Sequence, residues 1–118
     1  MQSLTKADLI RIHDDLVKIT GEEYDILSEV KLTEIVDRHE KSKNLVRKAA
    51  ILLHDTPNFQ PFSEGNKRTA FSSFKVFMEL NGLEVKVSNN ELEDIILRSV
   101  NNNITLRDVE KWLKKNLG

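Results

Sequence analysis

Apolar residues return every three or four positions along most of this chain, and each such run is bracketed by residues that start or stop helices. Thr5, followed three residues later by Asp8, opens a first helix whose apolar face is Leu9, Ile12, Leu16 and Ile19, ending at Thr20-Gly21. Ser28 caps a second, with Leu32, Ile35, Val36 and His39 on one side. Leu45, Val46, Ala49, Ala50, Leu52 and Leu53 define a third, which Pro57 should end. Ala70, Phe74, Phe77 and Met78 mark a fourth, closed by a left-handed cap at Asn81-Gly82. After an extended link through Leu83, Val85 and Val87, the Ser88/Glu91 pair reads as a capping box for a fifth helix, carrying Leu92, Ile95, Ile96 and Val100 up to the three Asn at 101–103. Thr105 caps the last, with Leu106, Val109, Trp112, Leu113 and Leu117 on its apolar face. Only Gly21–Leu27, where Tyr24 and Ile26 alternate with polar residues, reads as a short hairpin or flap. The expected fold is an all-α compact bundle of about six helices, with that flap near residues 21–27.

Composition bounds the rest. A chain of 118 residues with 39% hydrophobic content supports one core, so 1–118 reads as a single domain. The absence of cysteine removes disulfides, thiolate metal sites and thiol nucleophiles. With 18 basic against 19 acidic side chains, the net charge of −1 argues against nucleic acid as a direct partner. No apolar run reaches the ~18 residues of a membrane span, so a cytoplasmic protein without membrane association is expected. Lys41, Lys43, Arg47 and Lys48 read as a solvated helix face.

One segment departs from amphipathic patterning: Phe59-Gln60-Pro61-Phe62-Ser63-Glu64-Gly65-Asn66-Lys67-Arg68-Thr69. Gly65 permits close backbone approach to a ligand, the following helix turns its free N–H groups toward the loop, and Lys67 and Arg68 add two cations. Glu64 is a lone carboxylate beside this anion site, which suits a magnesium ion shared with a nucleotide. Gly-Asn is also an ordinary turn pair, so spacing alone leaves a polar turn as the competing reading.

The segment resembles the signature of the Fic/Doc family, His-Pro-Phe-x-[Asp/Glu]-Gly-Asn-[Gly/Lys]-Arg, through Pro61, Phe62, Ser63 at the free position, Glu64, Gly65, Asn66, Lys67 and Arg68. Leu9–Leu16 is similar to the family's first helix and Lys48–His54 to the helix before the motif, and Lys67-Arg68-Thr69-Ala70 looks closest to the short, toxin-type Doc (death-on-curing) branch. The resemblance implies an all-helical core and nucleotide-dependent transfer to a protein hydroxyl, using ATP or another nucleotide with Mg2+. Glu64 would hold the metal, Gly65 and Asn66 would form the phosphate nest, and Lys67 and Arg68 would neutralise charge. Phe62 would anchor the loop. Asn66 and Arg68 are catalytic candidates together with Gln60, which stands where the family has its histidine base.

That histidine takes the proton of the attacking hydroxyl, and a positioned general base is typically worth about 10²–10⁴-fold in rate. A carboxamide cannot accept that proton at neutral pH, so the chain as written should be impaired. Two origins account for Gln60: a naturally inactive member, or a loss-of-function substitution selected because the active protein poisons its host. His54 is expected in or beside the core, and His13 and His39 at helix surfaces or packing positions. No [Ser/Thr]-x-x-x-Glu-[Gly/Asn] self-inhibitory motif occurs, so inhibition would come from an antitoxin partner. Nucleotidyl-transferring relatives carry a second arginine three positions after the first. This chain has Phe71 there, expected to pack in the core, which favours a protein kinase over an AMP transferase. The leading expectation is a Doc-like toxin that phosphorylates a host protein, with a translation elongation factor suggested by the resemblance. The alternatives are an inactive Fic-type module that binds nucleotide or antitoxin, and an AMP transferase.

Overall fold

The computed structural model describes residues 2–21, 25–101 and 104–117. Six helices are present: α1 (Lys6–Thr20), α2 (Glu29–Lys41), α3 (Leu45–Phe59), α4 (Asn66–Leu80), α5 (Asn89–Asn101) and α6 (Leu106–Asn116). They cover 74% of the described residues with no strand among them, so the fold is all-α as expected. The radius of gyration, 13.1 Å, is that of a folded globule of this length, for which about 13 Å is usual.

Helix α3 is the axis of the bundle, packing against α2, α4, α5 and α6. Nine of its fifteen residues are buried, because small and aliphatic side chains occur on nearly every side of Lys48–Leu53. Helix α1 packs on α4 and α2, and α5 closes against α4. All six helices contribute to one hydrophobic cluster centred on residues such as Leu32, Ile35, Leu52, Phe74, Phe77 and Leu113, each at most 1% exposed.

The starts of the helices follow the sequence closely. Thr5 and Asp8 form a reciprocal capping box on α1, and Thr105 and Asp108 one on α6. Ser28 caps α2 and Asn44 caps α3. Ser88 Oγ accepts from Glu91 N–H at 3.1 Å but donates to the Glu91 carboxylate at 3.3 Å, so the reciprocal backbone half of that box is replaced by a side-chain contact. Gly82, with φ 67°, takes the left-handed position after α4.

Several expectations are corrected. Pro57 does not end α3, which runs on to Phe59. Proline lacks the N–H that would reach Leu53 O, so the helix gives up one hydrogen bond there without ending, and Asn58 Nδ2 donates separately to His54 O at 2.7 Å. Ile19 is 82% exposed, since the buried line of α1 is Leu9, His13 and Val17, one residue round from the face inferred from Leu9, Ile12, Leu16 and Ile19. Lys48 is buried and not part of a solvated face. Its ammonium donates to Ser3 Oγ, His39 O and Glu40 O at 2.7, 2.9 and 2.8 Å, matching three protons to three acceptors. Arg47 is paired with Glu110 of α6.

Candidate active site

Two helix ends meet at the motif loop. Gln60, the C-cap of α3, has φ 52° and ψ 61°, and is the one non-glycine residue with positive φ among those described. Its N–H still reaches Thr56 O at 3.2 Å, so the helix finishes by turning left-handed. That conformation costs an ordinary side chain roughly 1–2 kcal/mol and persists only when the surroundings impose it.

The surroundings here are dense. Phe62 is 1% exposed and stacks face to face on His13 of α1, with ring centroids 3.7 Å apart and planes 8° from parallel. Asn66, the first residue of α4, holds both ends of the Phe62 backbone: Oδ1 accepts from Phe62 N–H at 3.1 Å and Nδ2 donates to Phe62 O at 2.9 Å. The segment before α2 closes the other side, where Leu27 and Ser28 N–H donate to Pro61 O at 2.8 and 3.1 Å and Ser63 N–H donates to Asp25 O at 3.0 Å. The expected flap therefore survives as a single antiparallel bridge, Ile26 with Phe62, while its residues 22–24 lie outside those described. His13 Nε2 donates to Glu64 O at 2.6 Å.

Helix α4 starts differently from α1, α2, α3 and α6. Its N-cap is Gly65, at φ 77° and ψ 17°, which has no side chain to cap the first turn. The left-handed φ is one that glycine adopts without steric cost. First-turn N–H groups and the positive end of the helix dipole are thereby presented to whatever lies before the helix. What lies there is a cavity of about 380 Å3 lined by Pro57, Gln60, Ser63, Gly65, Asn66, Lys67 and Arg68.

Five of the six expected site residues, Gln60, Gly65, Asn66, Lys67 and Arg68, thus line one cavity. The sixth, Glu64, sits between two lining residues with its side chain exposed and is not itself part of the wall. Asn66 is spoken for through its side chain, so what it can offer a ligand is backbone. A second, larger cleft of about 540 Å3 meets the first at Lys67 and Arg68, and its other walls are Leu16, Phe71, Ser72, Glu93, Ile96 and Leu97. Phe71 is consequently not a core residue as expected. It packs against the core from outside, with Lys75 Nζ 5.2 Å from its ring centroid.

Of the histidines, His54 is partly buried and donates from Nδ1 to Asp55 Oδ1 at 2.8 Å, while Arg38 pairs with the other oxygen of the fully buried Asp55 at 3.2 Å. This cluster ties α2 to α3 just ahead of the loop, and His54 does not line the cavity. His39 is a packing residue. His13 is the residue of the site that sequence reasoning undervalued, although its i, i+4 spacing from Leu9 and to Val17 places it in a core stripe.

Residues 3–78, well over half of the chain, match the Fic/DOC family. The chain belongs to that family. Comparison with curated proteins gave no match. Fic/DOC membership supports a transferase-type enzyme in general, the family being one that generally binds nucleotide, ATP with Mg2+, and the loop, the cavity lining and the start of the uncapped helix lie within the matched span.

The residues present fit such a ligand. Two cations and a helix N-terminus at one cavity are what a polyphosphate requires. Among the described residues no three carboxylate or imidazole groups cluster, so a metal at Glu64 would draw its remaining ligands from phosphate and water, the usual coordination of magnesium. No described helix is long and apolar enough to cross a membrane.

Proposed function

We propose that this Fic/DOC protein is a single-domain, Doc-like toxin of a toxin–antitoxin pair, built to transfer the terminal phosphate of ATP to a hydroxyl of a host protein and impaired by Gln60. The observation that carries this reading is the cavity at the uncapped start of α4, which gathers Gly65, Asn66, Lys67, Arg68 and Gln60 in one wall.

In this reading the N–H groups of Gly65 and the first turn of α4 hold the phosphate to be transferred, and Lys67 and Arg68 offset the charge that gathers on its oxygens and on the leaving group. Glu64 would hold magnesium, which would neutralise part of the phosphate charge. The attacking hydroxyl oxygen bonds to the terminal phosphorus as the bond to ADP breaks, and its proton must go to a base. Gln60 has the place for that base but not the chemistry. Its carboxamide oxygen can accept a hydrogen bond from the hydroxyl and so orient it, yet cannot remove the proton.

Phe71 bears on which group is transferred. An aromatic side chain in the second cleft offers no charge-assisted hydrogen bond, so nothing at that position anchors the outer phosphates of a nucleotide placed for AMP transfer. Restoring the base is the test. The Gln60→His protein is expected to arrest growth when expressed in cells and, incubated with Mg-ATP and cell extract, to add about 80 Da to its target, whereas AMP transfer would add about 329 Da, the masses of the two groups that attack at phosphorus can deliver. Absence of any labelled protein sinks the transferase reading, and a clean AMP adduct moves the chain to the other branch. Gln60 itself favours one second reading, an inactive module that binds nucleotide or antitoxin, for which the Gln60→His form would bind ligand but label nothing.

A further inference from the structure

We propose that His13 is a positioning residue that aims the Gly65 N–H at the bound phosphate through the peptide unit between Glu64 and Gly65. The inference rests on the reading of the smaller cavity as an anion site. His13 is 0% exposed, and its Nε2 lies 2.6 Å from Glu64 O. A carbonyl oxygen can only accept, so Nε2 carries the proton in this contact.

The Glu64–Gly65 peptide is planar and trans, no cis peptide being present among the described residues. In a trans peptide the C=O and the following N–H point in opposite directions. With the carbonyl drawn toward His13, the Gly65 N–H is turned the opposite way. Gly65 lines the cavity. The φ of 77° at Gly65 then swings the chain into α4, so one hydrogen bond from α1 sets both the direction of a donor and the entry of the helix. Stacking against Phe62, whose backbone is held by Asn66, keeps the imidazole from rotating out of line.

This arrangement predicts a coupling that simple packing does not. An anion on the Gly65 N–H polarises the peptide and makes Glu64 O a stronger acceptor, so the His13 hydrogen bond should strengthen when the cavity fills. In the wild-type chain, the His13 Hε2 and Nε2 resonances should move downfield on titration with inorganic pyrophosphate, in step with the Gly65 amide. Pyrophosphate bound with the His13 signals unmoved overturns the inference.

Variants give a second arm. His13→Phe keeps an aromatic ring for Phe62 but has no donor, and should weaken pyrophosphate binding about tenfold, the effect of losing one well-placed hydrogen bond. His13→Gln restores a donor near the Nε2 position and should recover most of that loss. Equal affinity in all three proteins refutes the role of the donor. If His13→Phe fails to fold, the wild-type titration and His13→Gln still decide. Failure of the wild-type chain to bind pyrophosphate at all would instead remove the anion-site reading on which the inference stands.

Discussion

At the scale of single residues, the motif divides into side chains that shape the loop and side chains exposed at or beside the cavity. Phe62 and Asn66 belong to the first kind. The phenyl ring is buried on His13, and the carboxamide bonds both ends of its backbone. Lys67 and Arg68 line the cavity with exposed side chains, and Glu64 is exposed beside it. The chain as it stands should therefore bind Mg-nucleotide, because none of these groups depends on residue 60. Calorimetric titration is expected to show weaker binding for Lys67→Ala and for Glu64→Ala, on the order of tenfold each for the loss of one charge-assisted contact. The Glu64→Ala effect should vanish when magnesium is omitted, whereas that of Lys67→Ala should remain. Identical affinities in all three proteins would reduce the loop to a polar turn. The motif residues themselves were legible in the sequence, but the division of labour between Asn66 and Lys67 was not, since both are polar residues at a helix start and only the fold shows which one faces inward.

Among the elements, the helix starts were the best-read features, because capping is a contact between residues three apart and needs no tertiary information. The Thr5–Asp8 box on α1 is an example. Its backbone hydrogen bond from Thr5 holds the Asp8 carboxyl below its usual range, followed by smaller contributions from the Thr5 hydroxyl and Arg11. Thr5→Ala should cost about 1 kcal/mol of stability, read as a shift in urea midpoint. A carboxylate with a lowered folded-state pKa stabilises above the ordinary value near ~3.9 and loses that contribution as pH falls through the folded value. The Thr5 N–H survives Thr5→Ala, so the pH-dependent contribution is removed instead by Asp8→Asn, whose deficit should shrink in strong acid; a deficit unchanged down to pH 2 would show that the Asp8 carboxylate is not its source. Helix ends were less legible. Helix α3 runs on past Pro57 with Thr56 and Pro57 buried and Asn58 bonded to Ser99 of α5, tertiary contacts that do not follow from proline chemistry alone.

Across the whole molecule, a buried polar cluster joins segments distant in sequence. His39 of α2 accepts the Leu4 N–H at Nε2 (2.9 Å) and donates from Nδ1 to Lys48 O on α3 (2.9 Å), while Lys48 Nζ reaches back to Ser3, His39 and Glu40. Accepting from Leu4 requires an unprotonated Nε2. Burial pushes the His39 imidazole down, against the smaller upward pull of its bond to Lys48, and pushes the Lys48 ammonium down as well. As pH drops below the ordinary imidazole value near ~6.5, the unfolded chain therefore takes up a proton before the folded one does, and stability declines toward the folded-state value. Replacing His39 with Gln should lower stability at pH 7.5, and the gap to wild type should narrow at pH 5. A gap constant across that range in urea unfolding would show that His39 does not titrate on unfolding.

Local chemistry determined the helix starts, the amphipathic faces of α2, α4, α5 and α6, and the motif loop with its glycine and two cations, because each depends on residues within one or two turns of each other. Tertiary packing decided the rest. Which neighbour on α1 turns inward, His13 or Leu16, depends on the shape of α4 and the loop opposite. Whether Lys48 is solvated depends on three acceptors supplied by Ser3 and the end of α2, and whether Phe71 is core or cleft depends on how far α5 stands from α4. The left-handed turn at Gln60 was likewise invisible in the sequence, since a glutamine adopts it only when Phe62, Asn66 and the segment 25–28 pin the following residues and leave the backbone no other path from α3 to α4.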